Sequence, residues 1–221
     1  MKCWISGDTR PAPNTVSSLT SRVTAAVERA LDDRQREATE EVERILAAAV
    51  RVMERVAPEP PRVSDIVAEA GSSNKAFYRY FAGKDDLILA VMERGVAIVV
   101  SYLQHQIAKE SKPEVKVARW VEGTLAQVAD PHLISMSRAA AGQMSASANW
   151  RAADQEMMRP LRDLLIDPIT ELGSTDVGRD VEAVFGCTVA TMRRYVGSSE
   201  QPSPADIEHV VRFCLRALGV G

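Results

Sequence analysis

Residues 61–91, PRVSDIVAEAGSSNKAFYRYFAGKDDLILAV, read as two short helices joined by a glycine turn and followed by a third. Ile66 and Ala70 stand four apart, as do Phe77 and Phe81, so each pair faces a common miniature core, and Gly71 supplies the backbone freedom of the turn. The pattern is a helix-turn-helix. It leaves the opposite face of the second helix free. There Lys75, Tyr78 and Arg79 cluster at spacings of three and four, and residues 72–84 hold three basic residues, two tyrosines and no acid. Such a surface suits phosphates and groove edges.

Working outward, the chain of 221 residues is 46% hydrophobic, enough for one large or two small domains with a proper core. No apolar run approaches the roughly 20 residues that cross a bilayer. The first 18 residues lack the apolar middle of a signal peptide, which places the expected location in the cytoplasm. Cys3, Cys187 and Cys214 are odd in number and far apart, with no CxxC spacing, so reduced structural thiols are expected and neither a disulfide framework nor a metal site. The formal charge of −3 is the wrong sign for a protein drawn to nucleic acid by overall attraction. Residues 34–94 carry ten Lys and Arg against eleven Asp and Glu, so binding must rest on placed contacts around the second helix of the motif.

Before the motif, residues 1–18 are rich in Pro, Ser, Thr and Asn and have no period. Leu19, Val23, Ala26, Val27, Ala30 and Leu31 then make a weak apolar stripe, and Val42, Ile45, Leu46, Ala49, Val50 and Met53 a strong one. Two helices, or one bent helix, are expected, with the extension packing on its own domain. After the motif, Leu87, Val91, Ile98 and Tyr102 imply one long helix over about 84–106, in which Gly95 is either a bend or a close-packing glycine. Further helices are expected from Pro113, over about 133–144, and over about 150–172 with a possible break at Pro160 or Pro168. Two more cover 177–196 and, capped by Ser203 with Pro204 at its start, 204–218. No strand is convincing. The fold class is therefore all-α: an N-terminal helix-turn-helix domain and a larger C-terminal helical domain. The expected boundaries are 1–33 for an N-terminal arm and extension helix, 34–82 for the helix-turn-helix domain and 83–221 for the rest.

Residues 61–91, and most specifically AFYRYFAGKDDL at 76–87, resemble the DNA-binding domain of the TetR-type transcriptional repressors. The resemblance implies that residues 65–70 form the supporting helix, that Ser73 caps the recognition helix, and that Tyr78, Tyr80 and Lys84 face phosphates. With Ser64, Asn74, Lys75, Ala76 and Arg79 these make up the expected DNA contact set, in which Asn74, Lys75 and Tyr78 lie nearer the base edges. The chain departs from the family pattern at Arg62, where a capping Thr is usual, at Ser72, where an apolar residue normally follows the glycine, and at Lys75, where Gly is common. The resemblance also implies a homodimer on double-stranded DNA with palindromic character. The interface would then form from the last two helices through Val181, Phe185, Val189, Met192, Val211, Cys214 and Leu215. A two-fold pair places two recognition helices in successive major grooves about 34 to 36 Å apart.

Catalysis has no visible apparatus. His105, His132 and His209 are widely separated, and there is no nucleophile elbow, P-loop, dinucleotide fingerprint or paired metal-ligand motif, so no catalytic residue, metal or cofactor is expected. A small, mainly apolar effector is expected instead. Trp120, His132, Met136, Met144, Trp150, Met157 and Phe185 supply bulky, adaptable surface in the region that the resemblance assigns to an effector pocket. Arg138, Gln143, Asn149 and Arg151 are candidate polar anchors, although charged groups there are more often a solvated helix face. The expected function is a ligand-responsive repressor, with a helical adaptor, a regulator without effector control, or an activator as alternatives.

Overall fold

The computed structural model describes residues 15–56, 59–129, 138 and 150–220, and every regular element among them is a helix. In chain order these are α1, Thr15–Val56; α2, Val63–Glu69; α3, Asn74–Tyr80; α4, Lys84–Ile107; α5, Pro113–Ala129; α6, Trp150–Asp163; α7, Ile166–Glu171; α8, Val177–Val196; and α9, Pro204–Ala217. The helix expected over 133–144 lies outside the described residues apart from Arg138. No helix among the described residues is long and apolar enough to cross a membrane.

The chain divides into two compact units, Met1–Glu43 and Arg44–Gly221, with the boundary inside α1. One helix thus spans the stretch where the two apolar stripes left room for two. In the first unit, Thr39 donates to the Gln35 carbonyl at 2.8 Å and Arg36 pairs with Asp33 at 3.3 Å. Of the apolar stripe in this unit, Val23, Val27 and Leu31 are exposed.

In the second unit, the end of α1 buries Ile45, Ala49 and Val52 together with Ile66 of α2, Phe77 of α3 and Leu87 of α4. Met53 packs on Ile88, with Met92 against them, so α1 and α4 meet beside the helix-turn-helix. The larger core packs along α4 from Leu89 onward. There Trp120, Val121 and Leu125 of α5 pack with Met158 and Leu161 of α6, Ile169 of α7, Val184 of α8 and Val211 of α9. The Trp120 indole N–H donates to the Leu161 carbonyl at 2.9 Å, which satisfies its one polar atom inside an otherwise apolar cluster.

The expected break in 150–172 falls between α6 and α7. Pro160 lies inside α6, which ends three residues later, while Pro168 sits in the first turn of α7, where its missing N–H costs no helical bond. At α9 the predicted cap is present as a full capping box: Ser203 accepts from the Asp206 N–H and Asp206 accepts from the Ser203 N–H. That arrangement holds the Asp206 carboxyl below its usual range.

The close-packing glycine is Gly123 in α5. A Cβ there would stand 2.4 Å from Leu103 Cδ2, whereas one on Gly95 would meet nothing within 4 Å. Gly95 therefore has no packing reason to lack a side chain, and the approach of α4 to α5 is set from the other helix.

Candidate nucleic-acid interface

The turn between α2 and α3 is built from the backbone. Ala70 closes α2, Gly71 takes φ 61°, and the N–H groups of Gly71 and Ser72 return to the carbonyls of Ala68 and Val67 at 3.2 and 3.0 Å. This is a Schellman motif, and glycine is the residue that adopts such a φ without strain. Arg62 precedes α2 without a side-chain cap, so the family's usual Thr interaction is absent at that end. Glu69 instead fastens α2 to α1 through Arg51 at 2.9 Å and Arg55 at 3.0 Å. These two guanidinium groups hold its carboxyl below the ordinary carboxylate range.

Ser73 caps α3 as expected, its Oγ accepting from the Ala76 N–H at 3.1 Å. From there the seven residues of α3 divide by face. Ala76 and Phe77 are buried, and Phe77 stacks against Phe81 with ring centroids 5.6 Å apart. Asn74, Lys75, Tyr78 and Arg79 are exposed, with Tyr78 at 61%. The edge-on contact of Tyr78 with Phe77, 5.1 Å between centroids, ties the outward ring to the buried one. Tyr80 is half-buried, and the Arg79 guanidinium donates to its hydroxyl at 3.4 Å and lies over its ring. Lys84 opens α4, and Asp86 is held by the Ala82 N–H at 2.8 Å.

The residues predicted to contact DNA thus fall into three groups. Asn74, Lys75, Tyr78 and Arg79 share the outward face of α3, and Tyr80 and Lys84 follow at its end. Ser64 is exposed in the first turn of α2, where its hydroxyl donates to Asp65 at 3.2 Å. Ser73 and Ala76 serve the helix itself. The Ala76 methyl is only 4% exposed and points into the core, so it does not belong among the outward contacts. Four polar or aromatic side chains projecting from a rigid seven-residue helix with no acid among them can read a groove edge.

Residues 45–91 match the family described as bacterial regulatory proteins, tetR family. The match begins where the second unit buries its first residue and ends in α4, so it covers the whole assembly just described. Residues 45–91 are a DNA-binding domain of the TetR type. Solved structures share the fold over most of their length. FadR of Bacillus subtilis in complex with stearoyl-CoA has a TM-score of 0.63 at 20% identity, over 80% of this chain and 96% of that one. A TetR transcription regulator from Haloarcula marismortui has a TM-score of 0.65 at 16% identity, over 82% and 97%. RolR in complex with resorcinol has a TM-score of 0.60 at 16% identity, over 84% and 91%. No curated protein sequence matches the chain.

Of the residues expected to form the effector pocket, Trp120, Met157 and Phe185 come together. Trp120 and Met157 are buried, and the Phe185 ring stands 6.2 Å from that of Trp120. His132, Met136, Gln143, Met144 and Asn149 lie outside the described residues, as do the side chains of Trp150 and Arg151. A cavity of about 360 Å³ opens elsewhere, between Gln104 and Ile107 of α4, Lys116 of α5, and Asp163, Asp167 and Glu171 around α7. Its lining includes none of the expected pocket residues. Arg138 is not available as a ligand anchor, because its guanidinium donates to the carbonyls of Tyr195 and Val196 at 3.2 and 3.3 Å, and to those of Ser198 and Glu200, capping the end of α8.

The residues expected at a dimer interface mostly face inward. Val181, Val189, Val211 and Cys214 are buried in the chain's own core, and Phe185, Met192 and Leu215 are half-buried against it. The faces that α8 and α9 leave open carry Ala183, Gly186 and Ala190, and Phe213 at 57% exposure. Small residues have low hydropathy, so the apolar period in the sequence pointed to the inward side instead.

Proposed function

We propose that this protein is a TetR-type, ligand-responsive transcriptional repressor that binds a palindromic operator as a homodimer. The observation that carries the reading is the outward face of α3, where Asn74, Lys75, Tyr78 and Arg79 stand over the buried Ala76 and Phe77 on a capped helix. One seven-residue helix contacts too few base pairs for useful specificity, which favours two-fold pairing. The surface proposed for that pairing is the open side of α8 and α9, around Ala183, Gly186, Ala190 and Phe213. Small residues there let two helices approach closely.

The organisation proposed is a DNA-binding domain over 34–82 and an effector-binding and dimerising domain over 83–221, operating in the cytoplasm. FadR and RolR, of similar fold, were solved with stearoyl-CoA and resorcinol, which supports control by a bound ligand; the site proposed for a mainly apolar effector lies near Trp120, Met157 and Phe185. To move occupancy from 99:1 to 1:99, the effector must prefer the released conformation by roughly 5.5 kcal/mol. Footprinting on the DNA flanking the protein's own gene tests the reading. Two protected half-sites about one helical turn apart are expected. Absence of any protected site under low-salt conditions would favour the adaptor alternative.

A further inference from the structure

Cys187 lies in α8 nine residues before that helix ends, and Cys214 lies in α9 ten residues after that helix begins. The two helices are joined by residues 197–203 and pack on each other, so they run antiparallel. At 1.5 Å of rise per residue the two cysteines stand about 14 and about 15 Å from the connection, that is, at the same height. Their faces converge too. Both belong to one apolar cluster, and the Cys214 thiol meets the side chains of Cys187 and Thr188. Thr188 is itself held by its bond to the Val184 carbonyl at 2.9 Å. Cys214 is buried and Cys187 half-buried.

We propose that Cys187 and Cys214 are a dithiol site that a two-electron thiol oxidant, a hydroperoxide or a small disulfide, closes into one intrachain disulfide across α8 and α9. The order of events follows from access. With a peroxide, the Cys187 thiolate attacks one oxygen: an S–O bond forms, the O–O bond breaks, and the departing hydroxide takes up the thiol's proton as water. The Cys214 sulfur then attacks the Cys187 sulfenic acid. The S–S bond forms as the S–O bond breaks, and the hydroxyl leaves as water with the Cys214 proton. Two thiols have given up two electrons and two protons, and the peroxide has become two waters. With a small disulfide, Cys187 forms the mixed disulfide first and Cys214 displaces the small thiol. Burial, and the charge of Cys187 beside it, push the Cys214 thiol up to about 12. It therefore stays protonated at neutral pH, and closure quickens as pH rises. The site is reduced in a reducing compartment and responds when the thiol poise changes.

The proposal does not depend on DNA binding and is tested on the full chain with Cys3→Ser, which leaves only this pair. The protein is treated with hydrogen peroxide, and separately with oxidised glutathione, at pH values from about 7 to about 9. It is then unfolded, alkylated and analysed by intact mass and by peptide mapping. Both thiols should be lost together in a chain lighter by two hydrogens, with the peptides of Cys187 and Cys214 joined, reversibly by dithiothreitol, and faster at the higher pH. A Cys214→Ala variant keeps the site apolar and should stop at a Cys187 sulfenic acid, trapped by dimedone, that the parent does not accumulate. Equal dimedone labelling in parent and variant would overturn the proposal. So would a disulfide joining Cys187 of two chains, or a Cys214 thiol that stays free after Cys187 has reacted.

Discussion

Replacing two glycines separates the two ways a helix glycine can matter, and the structure assigns opposite signs to them. Gly123→Ala places a methyl 2.4 Å from Leu103 Cδ2 and 3.6 Å from Tyr102 Cε1. Carbon pairs settle at about 3.5 to 4.0 Å, so Leu103 must retreat by roughly 1 Å. Leu103 is completely buried in the main core, and it has nowhere to go without displacing neighbours. Overpacking of this kind costs about 1 to 3 kcal/mol. The gain of alanine over glycine in a helix offsets about 1 kcal/mol of it, leaving a net loss between about 0 and 2 kcal/mol. Gly95→Ala has only the gain, because nothing lies within 4 Å, and should stabilise by up to about 1 kcal/mol. Urea titrations monitored by far-UV circular dichroism read the two midpoints at constant slope. A Gly123→Ala protein as stable as Gly95→Ala would refute the assigned contact. The distinction matters for the regulator because α4 begins at the recognition assembly and ends in the core that Gly123 helps to close. Gly95→Ala should leave coupling between ligand and operator unchanged.

Ser73→Ala removes the cap of α3 and should cost about 1 kcal/mol of stability; operator affinity should fall while its salt dependence stays constant, since no phosphate contact is lost, and a changed salt slope would place Ser73 on the backbone instead. Lys84→Ala should weaken all sequences alike and lower the slope of log affinity against log salt by about 0.9 per contact, or about 1.8 for a dimer, whereas Lys75→Ala should relax sequence preference by about 1 to 3 kcal/mol in competition binding. Ala190→Glu should fold and yield monomers in sedimentation, while Val189→Glu, 4% exposed, should fail to fold because it buries an unpaired charge; a folded, dimeric Ala190→Glu protein would move the interface elsewhere. The Glu69 carboxyl is lowered by Arg51 and Arg55, so its contribution is present above its ordinary value of 4.5 and is lost as pH falls below that value; Glu69→Gln should flatten this part of an acid titration, and an unaltered profile would show that the pairing adds nothing.

The helix-turn-helix could be read from sequence because each of its signals acts locally: a period of four, a glycine that must take a positive φ, and a serine within reach of the N–H three residues on. Ala76 shows the limit of that reading. It lies one residue from Lys75 and one from Phe77, and only the rotation of α3, fixed by Phe77 and Phe81 together, decides that its methyl turns inward. The same ambiguity applies to the interface expected on α8. An apolar period reports that a face is covered without reporting whether the same chain or another covers it, and Val181 and Val189 turned out to be covered from within. Arg138 is a related case, since a basic residue among apolar ones reads as a ligand anchor or a solvated group until the helix end it caps is in view. The glycines could not be separated at all, because Gly95 and Gly123 have the same local setting and differ only in what approaches from outside their own helix. The cysteines are a different case. Once α8 and α9 are taken as an antiparallel pair, counting residues from their connection places Cys187 opposite Cys214, although they have no CxxC spacing. What sequence alone lacked was the rotation of each helix about its axis, which turns equal height into contact, and it was the packing of Cys187 and Cys214 into one core that supplied it.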